Sequence, residues 1–492
     1  MEPYAEELFW LVVCGFVVAF VLAFGIGAND VANSFGTSVG SKVLTLTQAC
    51  ILATVFEIAG AVLIGYKVSD TMRKGILDVS LYADGGEKLL AAGCLAALIA
   101  GAAWLIVATA LRLPVSGTHS VVGATVGFTL TAKGPVGVRW STLGAIVLSW
   151  FISPVLSGGV SALIFWLVRQ FILRASQPLV AGLRALPFFY GTTVAINVIS
   201  VVHDGPKLLA MDGIPLWAAL GGSIALGVVV AAFVRAFLVP YYKRQLIAPP
   251  VNFILGVSNG EIHFHVHKKC NDERMCFEAP EGGNAWSVEG ERSKLPAITP
   301  NSSAAPLLRN CSPPPPAPAQ PPLPEDTMRL FSFLQVLTAT FGAFAHGGND
   351  VSNAIGPLVA LWLLYSEGGA HARAETPLAI LVFGGVGIAL GLWLWGRRVI
   401  RTVGEDLTTI TPDSGFTIEL GAALTVLVAS KAGLPISTTH CKVGSVVCVG
   451  YSSQKGVDWS LFRNIIFAWV VTVPVVAALA SLSMLALEAL VV

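Results

Sequence analysis

Long runs of hydrophobic residues recur along the whole chain and dominate its pattern. About 20 apolar residues are needed to cross ~30 Å of hydrocarbon as a helix, so each run of that length predicts a transmembrane span. We place these runs near 8–26, 47–66, 89–111, 141–173, 184–202, 213–240, 328–345, 350–365, 376–396, 414–430 and 461–490. Two further apolar stretches, 114–130 and 435–451, are too short or too polar at their starts for plain spans. The pattern therefore predicts ten to twelve membrane segments.

Residues 241–327 interrupt this pattern. They contain the run Pro313-Pro314-Pro315-Pro316 and many charged residues, and such a composition cannot bury a hydrophobic core. We predict a disordered loop here, joining an N-terminal membrane half (1–240) to a C-terminal half (328–492).

The charges near the spans bear on orientation. Lys243 and Arg244 directly follow a span, which favours a cytoplasmic loop. The glycosylation sequons at Asn301 and Asn310 would be usable only if the loop were external. We predict a cytoplasmic loop, and the lack of Lys or Arg before Leu8 favours an external N-terminus.

Composition supports a polytopic, all-α membrane protein. Hydrophobic residues make up 54% of the chain and charged residues 12%, with a mean hydropathy of +0.74. The net charge of +1 gives no basic field that would attract nucleic acid. No nucleotide-binding, metalloprotease or esterase motif is present. His263, His265 and His267 match no closed zinc pattern, so we predict neither an enzyme nor a cofactor.

Within the apolar runs, one polar motif occurs twice. Gly27-Ala28-Asn29-Asp30-Val31-Ala32-Asn33 is repeated as Gly347-Gly348-Asn349-Asp350-Val351-Ser352-Asn353, 320 positions later. A second motif, Leu113-Pro114-Val115-Ser116-Gly117-Thr118-His119, returns as Leu434-Pro435-Ile436-Ser437-Thr438-Thr439-His440 at an offset of 321. Motifs recurring in the same order indicate a duplicated membrane unit.

The first motif suits a cation. On a helix Asn29 and Asn33 share a face, and the glycines around them would let the helix break and free its carbonyl groups. Carboxylate, amide and backbone oxygens are ligands for sodium, and broken helices coordinate ions in many secondary transporters. An Asp in hydrocarbon is unfavourable by ~2.5–3.5 kcal/mol. We therefore predict sodium sites at Asn29, Asp30, Asn33, Asn349, Asp350 and Asn353; the alternative is a polar contact between helices.

The second motif suits an anion. A proline at the first helical position starts a helix at no hydrogen-bonding cost, and the turn that follows offers free N–H groups and a positive dipole end. Two such helix starts meeting from opposite sides would hold an oxyanion without Lys or Arg. We predict an anion site of the phosphate-cradling kind at Ser116, Gly117, Thr118, Ser437, Thr438 and Thr439; the alternative is that the hydroxyls only cap a re-entrant helix.

Four further titratable residues lie in or beside these elements. His119 and His440 could titrate near neutral pH as gating or protonation groups, or could each donate one hydrogen bond. Glu57 and Glu419 lie in apolar spans between the two motifs of their halves, and we predict a role in ion coupling.

Together, these motifs resemble those of the inorganic phosphate transporter family, and within it the vertebrate-type sodium-dependent phosphate transporters of solute carrier family 20. The resemblance implies about twelve transmembrane helices in two inverted repeats, each with a re-entrant helical hairpin and a broken helix. It also implies a homodimeric plasma-membrane symporter that imports phosphate with sodium. Asp30 and Asp350 would serve both the sodium and the phosphate sites. Some vertebrate members act as gammaretrovirus receptors, so a gammaretroviral envelope protein is a candidate partner.

Other functions remain open on the residues alone. The same fold could couple phosphate to protons through the histidines or glutamates, could carry sulfate, or could serve mainly as a cell-surface receptor.

Overall fold

The fold is described from a computed structural model, for residues 2–83, 85–203, 205, 211, 213–247, 252–258, 261–267, 324–369, 374–401 and 406–491. Two compact units are present: one combines 1–246 with 324–492, and the other spans 247–323. Both membrane halves thus belong to one unit. The predicted boundaries near 240 and 328 stay predictions.

The first unit is built from helices. They are α1 (Glu6–Asn29), α2 (Ala32–Gly40), α3 (Leu46–Lys74), α4 (Glu87–Ala110), α5 (Gly117–Lys133), α6 (Trp140–Val168), α7 (Pro178–Val202), α8 (Leu216–Phe233), α9 (Val239–Ile247), α10 (Glu325–Glu367), α11 (Leu378–Trp395), α12 (Arg397–Arg401), α13 (Pro412–Lys431), α14 (Thr438–Ser452) and α15 (Trp459–Val491). In the described residues, ten helical stretches are long and apolar enough to cross a membrane. The all-α, polytopic architecture is confirmed.

The remaining two membrane segments are α5 and α14, the inner arms of two helical hairpins. They have 17 and 15 residues, about 25 and 22 Å at the helical rise per residue, so neither spans the hydrocarbon alone. α4 pairs with α5 and α13 with α14 across turns at 111–116 and 432–437. The short apolar stretches of the sequence are thus the hairpin arms.

The order of the elements makes the repeats inverted. Besides the first hairpin, five candidate crossings (α1–α2, α3, α6, α7 and α8) precede α10, and a re-entrant hairpin would add no net crossing. Since five is odd, a re-entrant first hairpin would place the start of α10 on the side opposite to α1, which is the inverted arrangement that the family resemblance implies.

The two repeats pack crosswise. In α6, Ser157 and Ser161 bond the Ser445 hydroxyl of α14 at 2.8 and 2.9 Å. In α15, Trp469 Nε1 donates to Pro114 O at 3.2 Å. Because the inner arm of each hairpin lies against the helix that follows the other hairpin, the two halves form one core.

The first Asn-Asp motif interrupts its helix, as predicted, whereas the second does not. α1 ends at Asn29 and α2 begins at Ala32. In the second copy, α10 runs unbroken through 347–356 over 43 residues. The break predicted there was wrong, because glycine permits a break but does not force one, and the motif glycines also allow close helix packing. A Cβ on Gly347 would lie 2.1 Å from Glu57 O of α3, and one on Gly27 would lie 1.8 Å from Ile388 O of α11.

In the second unit, two strands pair antiparallel where we predicted disorder. β1 (Asn252–Ser258) faces β2 (Glu261–His267), with Asn252 opposite His267 and Ser258 opposite Glu261. The side chains of His263, His265 and His267, and residues 268–323 with both sequons, lie outside what the structure describes.

Candidate functional site

Both hairpin tips and both Asn-Asp motifs meet in the interior of the first unit. The side chains of Asp30 and Asp350 are each 1% exposed. The other predicted site residues are also buried, including Glu57 and Glu419. The residues predicted from two distant parts of the sequence therefore form one occluded polar cluster.

Serines cap the two hairpin arms. The Ser116 hydroxyl accepts from His119 N at 3.3 Å, and the Ser437 hydroxyl accepts from His440 N at 3.2 Å. Helical structure begins at Gly117 and Thr438, so the prolines lie two residues before their caps. The prediction of proline at the first helical position was wrong, because a serine in extended conformation supplies the N-cap.

The two tips contact each other directly. Thr118 Oγ1 donates to Ile436 O at 3.0 Å, and the Thr439 hydroxyl lies 3.2 Å from Val115 O. These contacts are equivalent under the repeat and hold the two helix N-termini face to face.

Three backbone donors remain at this junction. Among the described residues, the N–H groups of Thr118, Thr438 and Thr439 have no acceptor. They belong to the first turns of α5 and α14, where helix geometry leaves N–H groups free and the dipole is positive. This arrangement has the chemistry of an oxyanion cradle.

Asp30 joins both tips. Its Oδ2 accepts from Gly117 N at 2.9 Å and its Oδ1 accepts from the Thr439 hydroxyl at 3.1 Å. A Cβ on Gly117 would lie 2.7 Å from Asp30 Oδ2, so a larger residue would push the carboxylate away from this N–H.

Asp350 occupies the equivalent place in the second repeat. Its Oδ2 accepts from Thr438 Oγ1 at 2.7 Å, and its Oδ1 accepts from Asn349 Nδ2 at 2.7 Å and Asn353 Nδ2 at 3.3 Å. Because Asp350 bonds the Thr438 hydroxyl, the Thr438 N–H stays free, whereas its counterpart at Gly117 is used.

Asn33 and Asn353 each reach the tip of the other repeat. Asn33 Nδ2 donates to Thr439 Oγ1 at 2.9 Å, and Asn353 Nδ2 donates to Thr118 Oγ1 at 3.1 Å. Asn353 Oδ1 is buried and has no partner among the described residues. A buried amide oxygen with no donor is a natural cation ligand.

Asn29 and Asn349 instead hold their own hairpins. Asn29 Nδ2 donates to Thr109 Oγ1 at 3.0 Å, and Asn29 Oδ1 accepts from Val115 N at 3.1 Å. Asn349 Nδ2 donates to Ile436 O at 3.0 Å, and its Oδ1 accepts from Ser430 at 3.3 Å. The sodium role predicted for these two asparagines stays a prediction, since both amide oxygens already accept a hydrogen bond.

His346 is a site residue that the sequence analysis missed. Its Nδ1 lies 2.7 Å from Glu57 Oε2 and its Nε2 lies 2.7 Å from Asp350 Oδ2. It therefore links Glu57 to the tip region. The signal was present, since a histidine one turn before Asp350 on the same helical face is unusual inside an apolar run.

Glu419 is held by a separate cluster of polar partners. Its Oε1 accepts from Thr37 and Ser38 at 2.5 Å and from Gln335 at 3.2 Å, and its Oε2 accepts from Thr338 at 2.7 Å. Lys442, also missed from the sequence, donates to Thr37 Oγ1 at 3.5 Å.

A cavity borders both Glu419 and the tip residue Thr438. The volume open to the centre of a water molecule is about 20 Å³, enough for about one water. Asn33, Thr438, His346, Glu419 and Lys442 are among its lining residues.

The charged residues break the symmetry of the repeats. Glu57 is on α3 and Glu419 on α13, so they are not repeat partners, although both lie between the motifs of their halves. At the motif offsets, His346 corresponds to Ile26 and Lys442 to Val121. Each glutamate thus has a basic side chain nearby: Glu57 has His346, and Glu419 has Lys442. Neither pair occurs in both repeats.

The motif histidines lie behind the tips among tryptophans. The ring centroids of His119 and His440 are 4.5 Å apart; His119 contacts Trp150 and His440 stacks on Trp469, each with centroids 3.8 Å apart. His440 Nδ1 bonds Trp150 O at 3.0 Å, which fits the single hydrogen bond expected. Neither ring nitrogen of His119 has a hydrogen-bond partner among the described residues.

Inverted helical repeats with ion ligands and free helix N-termini at their interface define a class of protein, the secondary transporters. The arrangement can hold an oxyanion and cations together, with N–H groups and hydroxyls for the anion and carboxylates and amide oxygens for the cations.

Comparisons with known proteins narrow this class. The model of the Phosphate transporter family matches residues 26–480. The chain is 40% identical to sodium-dependent phosphate transporter 2 of Homo sapiens, covering 98% of each protein. It is 40% identical to sodium-dependent phosphate transporter 1-A of Danio rerio, covering 95% of this chain and 93% of that protein. A solved structure described as the sodium-dependent phosphate transporter superposes with a TM-score of 0.76 at 32% identity, covering 97% of this chain and 99% of that one.

The chain belongs to the Phosphate transporter family. The predicted family and the prediction that the chain is a transporter rather than an enzyme are confirmed. It is a multi-pass membrane protein, with the ten apolar helices and two hairpin arms described above.

Proposed function

We propose that this protein is a symporter that imports inorganic phosphate with sodium across the plasma membrane. The observation that carries the proposal is the meeting of two helix N-termini, with free N–H groups at Thr118, Thr438 and Thr439, against Asp30 and Asp350. The names of the relatives, sodium-dependent phosphate transporters 1-A and 2, support the same substrates.

Phosphate would bind between the tips. The three free N–H groups and the hydroxyls of Ser116 and Ser437 can each donate to a phosphate oxygen. Asp30 and Asp350 accept hydrogen bonds, and a protonated phosphate can donate them whereas sulfate cannot near neutral pH. This favours phosphate over sulfate.

Sodium would bind at the amide and carboxylate oxygens. Asn353 Oδ1 lacks a donor among the described residues, and Asp30, Asp350 and Asn33 lie beside it around the tips. A cation here would screen the carboxylates from the anion, which gives a physical reason for obligatory coupling. Glu57, held by His346, and Glu419, in its own cluster of hydroxyl groups, would respond to the arrival of the cation.

The membrane potential opposes the entry of phosphate charge and favours the entry of sodium. Moving one negative charge into a cell at −100 mV is unfavourable by ~2.3 kcal/mol, and each entering sodium contributes the same amount favourably. One sodium with monovalent phosphate is electroneutral, and two make the cycle electrogenic.

The odd number of crossings before α10 supports the predicted orientation. With five crossings before α10, an external N-terminus places the end of α8, with Lys243 and Arg244 beyond it, on the cytoplasmic side. The homodimer and the gammaretroviral partner remain predictions from the family resemblance.

The direct test is phosphate uptake by the full chain in proteoliposomes. We expect uptake that requires sodium, is not supported by choline at the same pH, and resists competition by sulfate. The Asp30→Asn variant should lower uptake by about 10²-fold or more. Asparagine has a single acceptor oxygen, so it cannot replace the two carboxylate oxygens that accept from Gly117 and Thr439.

Uptake that continues unchanged without sodium would overturn the proposal. If a pH gradient replaced the sodium gradient, the proton-coupled alternative would take its place. Normal uptake by Asp30→Asn would contradict the role given to Asp30, and a lack of uptake by the unmodified protein would point to a mainly receptor role.

A further inference from the structure

The cavity beneath the hairpin tips contains a lysine that the transport scheme does not use. Lys442 is 4% exposed and lies one turn after Thr438 on the same face of α14. Both residues line the cavity, together with Asn33 of α2, His346 of α10 and Glu419 of α13. Lys442 therefore lies on the path between the tip region and Glu419.

The Lys442 ammonium has few partners for a buried charge. It has three donors, yet its one hydrogen bond to the described residues goes to Thr37 Oγ1 at the long distance of 3.5 Å. Burying an ammonium with so little compensation is strongly unfavourable unless a negative charge lies close by. The lysine is consequently held by charge rather than by a saturated set of hydrogen bonds.

Glu419 supplies that negative charge. Among the described residues that line the cavity, it is the one carboxylate. Thr37 joins the two groups, because its hydroxyl donates to Glu419 Oε1 at 2.5 Å and accepts from Lys442. Hydroxyl and amide groups of Ser38, Gln335 and Thr338 already surround the carboxylate, so the lysine and the glutamate do not form a direct ion pair.

The repeat shows that the two charges belong together. At the offset of the hairpin motif, Glu419 corresponds to Leu98 and Lys442 to Val121. The first hairpin thus lacks both members, and the second has both. A lysine with a role at the tip itself, as part of the anion cradle, would be expected in both hairpins.

We propose that Lys442 is a tethered cation that competes with sodium for the Glu419 end of this cavity. Without sodium, the ammonium neutralises Glu419. When sodium enters, the flexible lysine side chain moves away, because two cations at one carboxylate in a cavity that holds about one water repel each other strongly. This inference rests on the proposed function, since it assumes that sodium reaches Glu419.

The competition would favour the step in which the transporter returns without bound sodium or phosphate. A carboxylate left bare in the membrane interior is costly to move, whereas one neutralised by a resident lysine is not. Lys442 would therefore set the sodium concentration at which the carrier loads.

The test compares Lys442→Met with the unmodified full-length protein. Sodium binding is followed as sodium-dependent thermal stabilisation of the purified protein, with choline keeping ionic strength constant and phosphate absent. We expect the half-effect sodium concentration to fall by about tenfold or more, as removal of a nearby unit charge predicts. Lys442→Arg should keep the original concentration within about threefold, because the charge remains.

Two controls make the result specific. Lys133→Met removes a lysine from the last turn of α5, where it lies over the Tyr82 ring, and should leave the sodium dependence unchanged. In a Glu419→Gln background, Lys442→Met should no longer shift the sodium concentration, because the shared carboxylate is gone.

An unchanged or increased half-effect concentration in Lys442→Met would overturn the inference, as would a raised KM for phosphate with unaltered sodium dependence. If Lys442→Met does not fold, Lys442→Gln, which can still bond Thr37, must show the same fall. Sodium-independent uptake by the unmodified protein would instead refute the proposed function, so the two failures are distinguishable.

Discussion

Single residues decide how the two repeats of this transporter differ. Asp30 and Asp350 occupy equivalent places beside the hairpin tips, but among the described residues only Asp350 has a histidine beside it. His346 lies 2.7 Å from both Asp350 Oδ2 and Glu57 Oε2, while Ile26 occupies the equivalent position in the first repeat. The buried polar network is consequently more extensive around the second motif.

Replacing His346 by isoleucine, the residue of the first repeat, should therefore be severely destabilising. The change leaves two buried carboxylates without their shared partner, and breaking a buried charged pair costs about 3–5 kcal/mol. Thermal and chemical unfolding of the purified protein would measure the loss. Adding Glu57→Gln should recover part of it, and a double variant that shows simple additivity would contradict the link.

The threonines between the tips give a second prediction at this scale. Thr118→Val removes the acceptor of Asn353 Nδ2 and the donor to Ile436 O. An unsatisfied buried amide costs about 1–3 kcal/mol, so both stability and phosphate uptake should fall.

Thr125→Val is the matched control. Thr125 is buried in the same helix, but its hydroxyl bonds only Val121 O one turn earlier. This variant should stay within about 1 kcal/mol of the parent. Equal effects of the two variants would show that the contact between the tips contributes no more to stability and uptake than a hydrogen bond within one helix.

At the scale of elements, backbone contact between helices positions the motifs. α10 passes α3 so closely at Gly347 that no side chain fits, and α1 passes α11 in the same way at Gly27. Small residues permit such approaches in membrane proteins. Each motif helix is thus fixed by a helix of the other repeat, which aligns the two Asp residues.

Gly347→Ala should push α3 and α10 apart. The new methyl group would lie 2.1 Å from Glu57 O, and overpacking of this kind costs at least about 1–3 kcal/mol. Phosphate uptake should fall with stability, because Glu57 itself moves. Gly159→Ala in α6, where a Cβ meets nothing within 4 Å, should be neutral or slightly stabilising, and a similar loss there would exclude close packing as the cause.

At the scale of the whole molecule, the number of crossings fixes which ends share a side. Five crossings precede the segment 247–323, and α10, α11 and α15 follow it. In the orientation that we propose, each hairpin adds no net crossing, so that the N- and C-termini lie on one side and the end of α8 on the other.

Epitope tags test this arrangement in intact cells. Tags at either terminus should be accessible from outside, and a tag within 268–323 only after permeabilisation. Asn301 and Asn310 should accordingly carry no glycan, as glycosidase treatment would show by an unchanged gel mobility. A surface-accessible central tag, or a glycan on either asparagine, would contradict this orientation.

The sequence by itself determined the class, the repeat and most residues of the candidate site. Membrane spans follow from the length of apolar runs, because lipid requires every buried backbone group to be bonded within its own helix. The polar motifs stood out for the same reason, since Asp, Asn, Ser and Thr are rare in hydrocarbon unless they have a role. Asp30, Asp350 and both tips could therefore be assigned by chemistry and duplication alone.

Tertiary structure decided what depends on packing between distant segments. Only the structure reveals that α10 stays unbroken at Asp350, that Asn29 and Asn349 bond their own hairpins, and that serines rather than prolines start α5 and α14. His346 and Lys442 could not be paired with Glu57 and Glu419 from sequence, because their contacts join residues 289 positions apart, or pass through Thr37, 405 positions away. Local patterns report which groups are costly in lipid, whereas the fold determines which partners make them stable.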